Sequence, residues 1–411
     1  MPAIIRKPEI TVLLSSARKI GIFLIVPALA LWLTVIDSIT GFGSPRKTAF
    51  AAPVADTSAD SLITVTMTFV GDLMCHSPQF NAARQADGSY DFNPAWAEVK
   101  GFLSEADITI GNLETTCSGA NRGFAGYPNF NTPDEYVPAL KNAGFDFLVT
   151  SNNHSMDMGE SGLLRTIDII KKSSLGYTGT FTSQADHDSI RILDVKGLKI
   201  AILNYTYGTN GAYPSADHKY MLNVYDSTQV KNEVKKAREK GAQLVVTLYH
   251  WGAEYRPDPM WPKQDTMMRT AIAAGSDMII GAHPHVVGPV TYYKGTGGAK
   301  LDSGLVAWTL GNFISNQSKR YTDAGLILNV ELTKNVKKDS AWISKMSFVP
   351  TWVYRGTSAT NKNYVVLPSS WSEKDSLPAW IDAASKVKMK EAHADTKSIV
   401  RKYSAKPQEK K

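Results

Sequence analysis

The sequence predicts an α/β fold, and three observations lead to this class. Segments with the period-two alternation of β-strands are separated by amphipathic helical segments through the first part of the body. The later part contains strand-like segments without helices between them, which predicts some antiparallel sheet. Six predicted strands end in short clusters of Gly, Asn, Asp or His, at the position where open α/β sheets bind ligands.

The composition is that of a globular protein with a large core. The chain has 411 residues, of which 43% are hydrophobic and 20% charged, and two are Cys. These values exclude a disordered chain, a disulfide framework and a zinc module built on several thiolates. The net charge of +7 belongs to the ends, because residues 1–47 carry +4, residues 357–411 carry +5 and residues 48–356 carry −2. A body that binds nucleic acid is therefore not supported.

The N-terminal region predicts a membrane anchor. Residues 20–36 form an uncharged, mostly apolar run at the short end of the roughly 17–25 residues that span a bilayer as a helix. Arg18 and Lys19 precede this run, so residues 1–19 are expected in the cytoplasm and the body outside the cell membrane, as in a single-pass bacterial surface protein. The alternative is a cleaved signal peptide, because residues 49–51 have the small-x-small form of a cleavage site.

A linker rich in Gly, Pro, Ala, Ser and Thr is predicted at residues 37–61, and the body at residues 62–356. The predicted strands share period-two alternation or a short buried apolar run; they are residues 62–70, 107–110, 145–150, 189–195, 198–206, 243–249, 277–280, 305–310, 324–332 and 342–353. The predicted helices share an amphipathic period and start or stop signals such as a capping box, Pro in the first turn or a final Gly; they are residues 93–106, 132–144, 160–172, 228–240 and 263–274. Residues 357–411 remain as a basic C-terminal segment, interpreted as a solvated tail or helix that could bind an anionic polymer.

The polar clusters favour a metal site. Four of the eight His follow predicted strands together with carboxylates and carboxamides, a ligand set typical of Mn, Fe or Zn. In His283-Pro284-His285 the two rings would point to one side of an extended backbone. Asp72 is the obvious carboxylate ligand, while Asn153 offers a carbonyl oxygen and His154 is placed to act as a general acid. Any one of these residues alone more often has a structural role. Their occurrence together, each after a predicted strand, favours a functional site.

Six short motifs, taken together in their chain order, indicate a protein family more specifically than any single motif does. They are VGDLM at 70–74, GNLE at 111–114, NNHSMDMG at 152–159, HWGAEY at 250–255, GAHPHV at 281–286 and LGNF at 310–313. Over about residues 62–356 this set resembles the CapA family of poly-γ-glutamate capsule biosynthesis proteins. That family is similar in turn to the calcineurin-like metallophosphoesterases, which implies a double β-sheet sandwich flanked by helices and one or two divalent metal ions.

The resemblance implies roles for individual residues. The catalytic residues would be Asp72 and His154, with His154 protonating the leaving group. The metal ligands would be Asp72, Asn112, Glu114, Asn153, His250, His283 and His285. The residues lining the substrate crevice would be Trp251, Glu254, Tyr255 and Asn312, for which core or capping roles are equally open.

Two positions depart from the phosphoesterase pattern. Met74 stands where that pattern has a His, and Asn112 stands where it has a metal-bridging Asp. Glu114 is the candidate substitute, and a single-ion site is an open alternative because two close cations need a shared anionic ligand.

The two Cys, Cys75 and Cys117, follow the first two clusters, so a disulfide is predicted if those loops meet in an oxidising compartment. The remaining histidines are interpreted as surface or outer-shell residues: His76, His187, His218 and His393.

The resemblance implies a membrane-anchored, extracytoplasmic protein that assists the synthesis or export of an anionic poly-γ-glutamate polymer beside the membrane subunits of a polymer synthase. The reaction would be hydrolysis of a phosphate ester by metal-activated water. Two alternatives stay open. One is a general extracytoplasmic phosphoesterase acting on nucleotides or wall phosphates, and the other is a non-catalytic scaffold that binds polymer or synthase subunits.

Overall fold

The computed structural model describes residues 61–258, 262–356 and 362–410. The strands are β1 (Leu62–Leu73), β2 (Ile108–Leu113), β3 (Phe147–Val149), β4 (Gly176–Thr178), β5 (Arg191–Val195), β6 (Leu198–Thr206), β7 (Leu244–His250), β8 (Met278–Ala282), β9 (Val290–Lys294), β10 (Ser303–Ala307), β11 (Asn312–Ile314), β12 (Ala324–Asn335), β13 (Ser340–Tyr354), β14 (Val365–Pro368) and β15 (Gln408–Glu409). The helices are α1 (Ser77–Ala83), α2 (Lys100–Ser104), α3 (Tyr136–Ala143), α4 (Gly159–Lys172), α5 (Gln184–His187), α6 (Ser227–Glu239), α7 (Pro262–Ala274) and α8 (Ala383–Val400).

The strands form two sheets. The larger sheet has the order β14-β13-β12-β1-β2-β3-β4, with β11 paired to β1 and β15 paired to β13. The smaller sheet has the order β5-β6-β7-β8-β10-β9. Strands β1 to β4 run parallel in the larger sheet, and β6, β7, β8 and β10 run parallel in the smaller one. Each sheet therefore has a block of parallel strands whose carboxyl ends share one edge.

Period-two alternation explains why the sheets pack face to face. On β1, Val65, Met67 and Phe69 enter the same buried cluster as Leu244 and Val246 of β7. Residues between these point to the outer faces, since side chains alternate along a strand. The outer face of the smaller sheet packs against α6 and α7, and that of the larger sheet packs against α3 and α4. Each fully buried apolar side chain contributes about 1.5–3 kcal/mol to this arrangement. The predicted α/β double sheet flanked by helices is confirmed.

The longer predicted helices are present with small shifts at their ends, as α4, α6 and α7. The helix predicted at residues 93–106 is wrong in part, because a 3-10 turn at Asn93–Ala95 precedes α2. Trp96 interrupts the regular helix and stacks on Phe313 with ring centroids 6.0 Å apart. Tertiary packing here overrides local helix propensity.

The capping box predicted at residues 132–135 does not form. The Thr132 hydroxyl lies 2.6 Å from the Thr115 hydroxyl instead, and α3 begins only at Tyr136. Gly144 does end this helix as predicted, in the left-handed conformation with φ 108°.

The described part of the C-terminal segment adds two short strands to the larger sheet and contains helix α8. β14 pairs with β13 in antiparallel orientation, and β15 pairs with β13 in parallel orientation. Helix α8 buries Met389, Ala392 and Val400. The segment is therefore a helix in part, as expected, but it is not solvated on all sides.

The described helices include none that combines the length and apolar character needed to cross a bilayer. The anchor predicted at residues 20–36 lies outside the described residues, as do residues 1–19 and residues 37–60 of the linker.

Candidate metal centre

The polar clusters meet at the edge where the parallel strands of both sheets end. Asp72 in β1 lies across from His285, which follows β8, with 3.1 Å between Asp72 Oδ2 and His285 Nδ1. Asn153 follows β3 and lies across from His250 at the end of β7, with 2.7 Å between Asn153 Oδ1 and His250 Nε2. The structure thus joins the larger sheet to the smaller one through these side chains.

A close backbone approach positions Asp72. A Cβ atom at Gly71 would lie 1.9 Å from the carbonyl oxygen of Gly311, so only glycine fits here. The approach lets the Asp72 amide donate to Gly311 O at 2.9 Å and places Asp72 beside Asn312 in the β1–β11 pairing. The glycines of the VGDLM and LGNF motifs therefore set the position of the carboxylate.

Asp72 is fully buried and surrounded by donors. Asn112 Nδ2 donates to Asp72 Oδ1 at 2.9 Å, and the His283 backbone amide donates to the same oxygen at 3.3 Å. Burial acts to raise the pKa of Asp72, but the hydrogen bond and charge of His285 together with Asn112 outweigh it and hold the pKa below its ordinary value. Asp72 is therefore an ionised ligand candidate.

Glu114 has an unsatisfied oxygen in the middle of the centre. Its Oε1 atom lies 3.5 Å from His250 Nε2 and 4.0 Å from His285 Nε2. Among the described residues this buried oxygen has no hydrogen-bond partner. Burial and the charge of Asp72 raise the pKa of Glu114 well above its ordinary value. A cation beside Oε1 would remove this cost.

Asn112 holds these groups in place. Its Nδ2 atom lies 3.3 Å from Glu114 Oε2 and 3.3 Å from His250 Nδ1, in addition to its bond to Asp72. Its Oδ1 atom accepts a hydrogen bond from Asn152 Nδ2 at 3.3 Å. Both ends of the amide are engaged, so these contacts let Asn112 position its neighbours, and its ligand role stays a prediction.

The smaller sheet supplies three buried imidazoles. Burial first, then the neighbouring His285, lowers the pKa of His283 to about 3, and burial lowers that of His250 well below its ordinary value. Neutral imidazole is the form that binds metals. Within the described chain, His283 Nδ1 is a buried atom without a hydrogen-bond partner.

The segment that carries His283 and His285 is not extended, contrary to the sequence-based expectation. Both residues have left-handed backbones, with φ 97° and 58°. Such conformations cost of order 1–3 kcal/mol each for non-glycine residues and cluster at functional sites. The two rings still lie near each other, with centroids 5.9 Å apart.

The donors fit a divalent cation. Glu114, His250 and His283 each offer a ligand atom within 4.8 Å of the others, and so do Asp72, Glu114 and His285. Glu114 belongs to both groups, which is the relation expected of a carboxylate shared by two ion positions. The mixed imidazole and carboxylate set suits Zn, Mn or Fe.

His154 lies beside this centre and is held by a carboxylate. Its Nδ1 atom lies 2.7 Å from Asp157 Oδ2, and the side chains of both residues are 3% exposed. The Phe130 amide donates to the same Asp157 oxygen at 2.8 Å, and the Phe130 ring packs edge-on to the imidazole at 4.7 Å. The Asp157 contact favours a proton on Nδ1, which leaves Nε2 to face a substrate.

Sequence reasoning did not single out Asp157, although the three-residue spacing from His154 signals a local contact. It also missed the loop that follows β6. There Asn210 donates its backbone amide to the Asn153 carbonyl at 3.2 Å, and the Tyr207 ring lies 4.7 Å from the His283 ring. The same test of polar residues after a strand would have found this loop.

The four predicted substrate residues occupy different environments. Trp251 is fully buried, and its Nε1 donates to Trp308 O at 2.9 Å, so it takes the core role that the sequence left open. Asn312 is also buried, and its Oδ1 lies 3.0 Å from His285 Nδ1, so it orients that ring. Glu254 is exposed and Tyr255 is 53% exposed at the solvent side of the centre.

The predicted disulfide is wrong. Cys75 and Cys117 are free, fully buried thiols within one apolar cluster. The Cys75 thiol contacts Thr132, and burial raises its pKa to about 12, so both residues pack as small apolar side chains.

The four remaining histidines have other partners, as expected for residues outside the ligand set. His218 is exposed and pairs with Glu160 at 2.7 Å. His76 and His187 are partly buried, and His393 is buried 3.1 Å from the Ser369 hydroxyl.

The arrangement has the elements of hydrolytic chemistry. A divalent ion held here would polarise a bound oxygen and lower the pKa of a coordinated water. Asp72 and Glu114 would compensate its charge, and the buried surroundings would exclude bulk water. His154 can give a proton on Nε2 to a leaving-group oxygen, because the contact with Asp157 fixes the orientation of its ring.

The fold and the site together define an α/β double-sheet protein with a candidate metal centre at the strand ends. The chain belongs to the family described as bacterial capsule synthesis protein PGA_cap, whose model matches residues 66–317. The resemblance to the CapA family is thereby confirmed.

Two relatives illustrate this membership. The chain is 27% identical over 354 residues to the capsule biosynthesis protein CapA of Bacillus anthracis, covering 80% of each chain. It is 28% identical over 288 residues to the PGA biosynthesis protein CapA of Bacillus subtilis (strain 168), covering 69% of this chain and 71% of the relative.

Two solved structures are similar to this chain at low identity. The NAD nucleotidase of Haemophilus influenzae has a TM-score of 0.46 at 11% identity, over 85% of this chain and 64% of its own. The calcineurin-like phosphoesterase YfkN from Bacillus subtilis has a TM-score of 0.41 at 10% identity, over 82% of this chain and 98% of its own. The strand pairing of the chain itself defines the double sheet.

Proposed function

We propose that this protein is a membrane-anchored, extracytoplasmic member of its family that assists poly-γ-glutamate synthesis or export by metal-dependent hydrolysis of a phosphate ester. The supporting observation is a buried cluster of Asp72, Glu114 and three histidines. Two potential ligand atoms in it, Glu114 Oε1 and His283 Nδ1, have no hydrogen-bond partner within the described residues. Membership of the capsule synthesis family supports the role in poly-γ-glutamate synthesis or export. The set of potential metal ligands supports the metal-dependent hydrolysis.

His154 carries the acid role in this proposal. It lies next to Asn153, which contacts His250, and Asp157 fixes its ring. A phosphate ester needs a group that protonates the departing oxygen, and a positioned imidazole contributes typically about 10²–10⁴-fold. Asp72 contributes as an ionised ligand.

The enzymatic part is tested with the purified full-length chain in mild detergent. We expect about one or two equivalents of Mn, Fe or Zn per chain and turnover of a substrate in a panel of phosphomonoesters and phosphodiesters. His154→Gln should abolish most turnover and keep the metal. The matched control is His218→Gln, because His218 is exposed, lies outside the ligand groups and pairs with Glu160 at 2.7 Å. A chain that binds no metal and turns over no phosphoester would leave the scaffold reading.

The polymer part needs a cellular measurement. A strain lacking this protein should make less poly-γ-glutamate, and the wild-type chain should restore it where Asp72→Asn does not. Equal polymer in all strains, with phosphoesterase activity retained in vitro, would favour the general phosphoesterase on nucleotides or wall phosphates. Restoration by the inactive variant would favour the scaffold that binds polymer or synthase subunits.

The anchor is proposed for residues 20–36, on the length of their apolar run and the basic residues before it. The full-length protein should sediment with membranes and resist an alkaline carbonate wash. Release of a mature form that begins near Ala52 would replace the anchor with a cleaved signal peptide.

A further inference from the structure

The loop after β7 carries an exposed carboxylate, Glu254, and its backbone is fastened beside the centre. The Trp251 amide donates to Ala282 O at 3.0 Å, and the Tyr255 amide donates to Pro284 O at 2.8 Å. These two bonds fasten the loop to the segment that contains His283 and His285. Between them Gly252 turns with φ 101°, and a Cβ atom there would lie 2.7 Å from Gln264 Nε2. Glu254 is therefore held against the centre by its backbone.

The Glu254 carboxylate completes a third ligand group. One of its oxygens and one ring nitrogen each of His283 and His285 lie within 4.8 Å of one another. The two histidines are 3% and 2% exposed, whereas Glu254 is exposed. The carboxylate thus approaches from the solvent side and the imidazoles from the protein interior.

A second observation points to a cation at this position. His283 Nδ1 is buried and has no hydrogen-bond partner among the described residues. The Glu254 group shares His283 with the group around His250, and it shares His285 with the group around Asp72. Glu254 therefore borders both inner ion positions.

We propose that Glu254 is a metal ligand on the solvent side of the centre, and that a phosphate oxygen of the substrate displaces it. The proposal rests on the metal-dependent function proposed above. Catalytic metal sites keep one position for water or substrate. Of the three carboxylates in these groups, Asp72 and Glu114 are fully buried and hydrogen-bonded, so Glu254 is the one that can exchange with solvent.

The test measures binding of Mn²⁺ and then of inorganic phosphate to the full-length chain by equilibrium dialysis. Glu254→Gln removes the anionic ligand and keeps the size of the side chain. We expect Mn²⁺ to bind about tenfold or more weakly, since even outer-shell partners of metal ligands are worth about 10–100-fold. At saturating Mn²⁺ we expect phosphate to bind more tightly than to the wild type, because its competitor is gone.

The matched control is Glu239→Gln, because Glu239 is an exposed glutamate at the end of α6. It should bind Mn²⁺ and phosphate like the wild type. Equal melting temperatures of all three proteins in EDTA would show that folding is unchanged. Wild-type Mn²⁺ affinity in Glu254→Gln would overturn this proposal alone, whereas a wild-type chain that binds no Mn²⁺ would overturn the proposed function as well.

Discussion

The two sheets contribute different chemistry to the candidate centre. The larger sheet supplies oxygen groups and amides, through Asp72, Glu114 and Asn153, while the smaller sheet supplies the imidazoles of His250 and His283. Each ligand group with a buried carboxylate combines residues of both sheets. Metal affinity should therefore depend on how the sheets pack, and the buried carboxylates of the centre, Asp72 and Glu114, both come from the larger sheet.

The largest expected effect comes from the anionic side. Asp72→Asn removes an ionised carboxylate that Asn112, the His283 amide and His285 surround. We expect loss of bound metal and, because the proposed hydrolysis depends on the metal, loss of turnover to the background rate. Elemental analysis and rate measurements check this. Asp168→Asn is the control, because Asp168 is exposed and pairs with Lys172 at 2.7 Å. If Asp72→Asn retained metal at the wild-type stoichiometry, the larger sheet would not supply the anionic ligand that the comparison of the two sheets requires.

His154 is the imidazole that the larger sheet contributes, and it tests whether imidazoles of the two sheets have different roles. His154→Gln should reduce turnover by about 10²–10⁴-fold and leave the metal content unchanged. Asp157→Asn should have a smaller effect in the same direction, since it only orients the ring. Substitution of His250 or His283 should instead remove bound metal, and turnover should fall with it. Metal loss in His154→Gln would show that this residue is a ligand.

Asn312 tests how a residue of the larger sheet supports an imidazole of the smaller one. Its Oδ1 lies 3.0 Å from His285 Nδ1, and its Nδ2 donates to Thr322 O at 2.8 Å. We expect Asn312→Ala to weaken metal binding by about 10–100-fold. Titration with Zn²⁺ measures this, and the exposed Asn142→Ala serves as the control. An unchanged Zn²⁺ affinity in Asn312→Ala would show that Asn312 stabilises strand β11 but does not support the metal ligand His285.

The smallest expected effect concerns stability in EDTA. The pKa of Glu114 is raised by burial and Asp72, so its contribution to stability is present below the ordinary glutamate pKa and is lost as pH rises through the raised value. Without metal, Glu114→Gln should therefore lose less stability than the wild type as pH rises to neutrality. With Zn²⁺ the order should reverse, because the wild type gains the ligand.

Thermal melts across pH, with Glu239→Gln as the control, give this result. A metal-free wild type whose stability relative to Glu114→Gln does not change with pH would contradict the buried, unsatisfied state of Glu114.

The strand pattern was sufficient to predict which loops meet, because the carboxyl ends of parallel strands share an edge. It located Asp72, His250 and His285 without any contact information. It did not predict β11, since that strand has three residues and exists through the close approach of Gly71 and Gly311. The hydrogen-bond direction of Asn112 and the left-handed backbone of His283 depend on tertiary neighbours. Such features have no local sequence period.

The most direct test of the shared centre is the position of a bound ion. A crystal of the protein grown with Zn²⁺ should show an anomalous peak between the sheets, about 2.0–2.2 Å from Glu114 Oε1 and from a nitrogen of His250 or His283. That result would join the carboxylate of the larger sheet to the imidazoles of the smaller one. A fully occupied peak bound by residues of one sheet only, or no peak beside Glu114, would contradict the account.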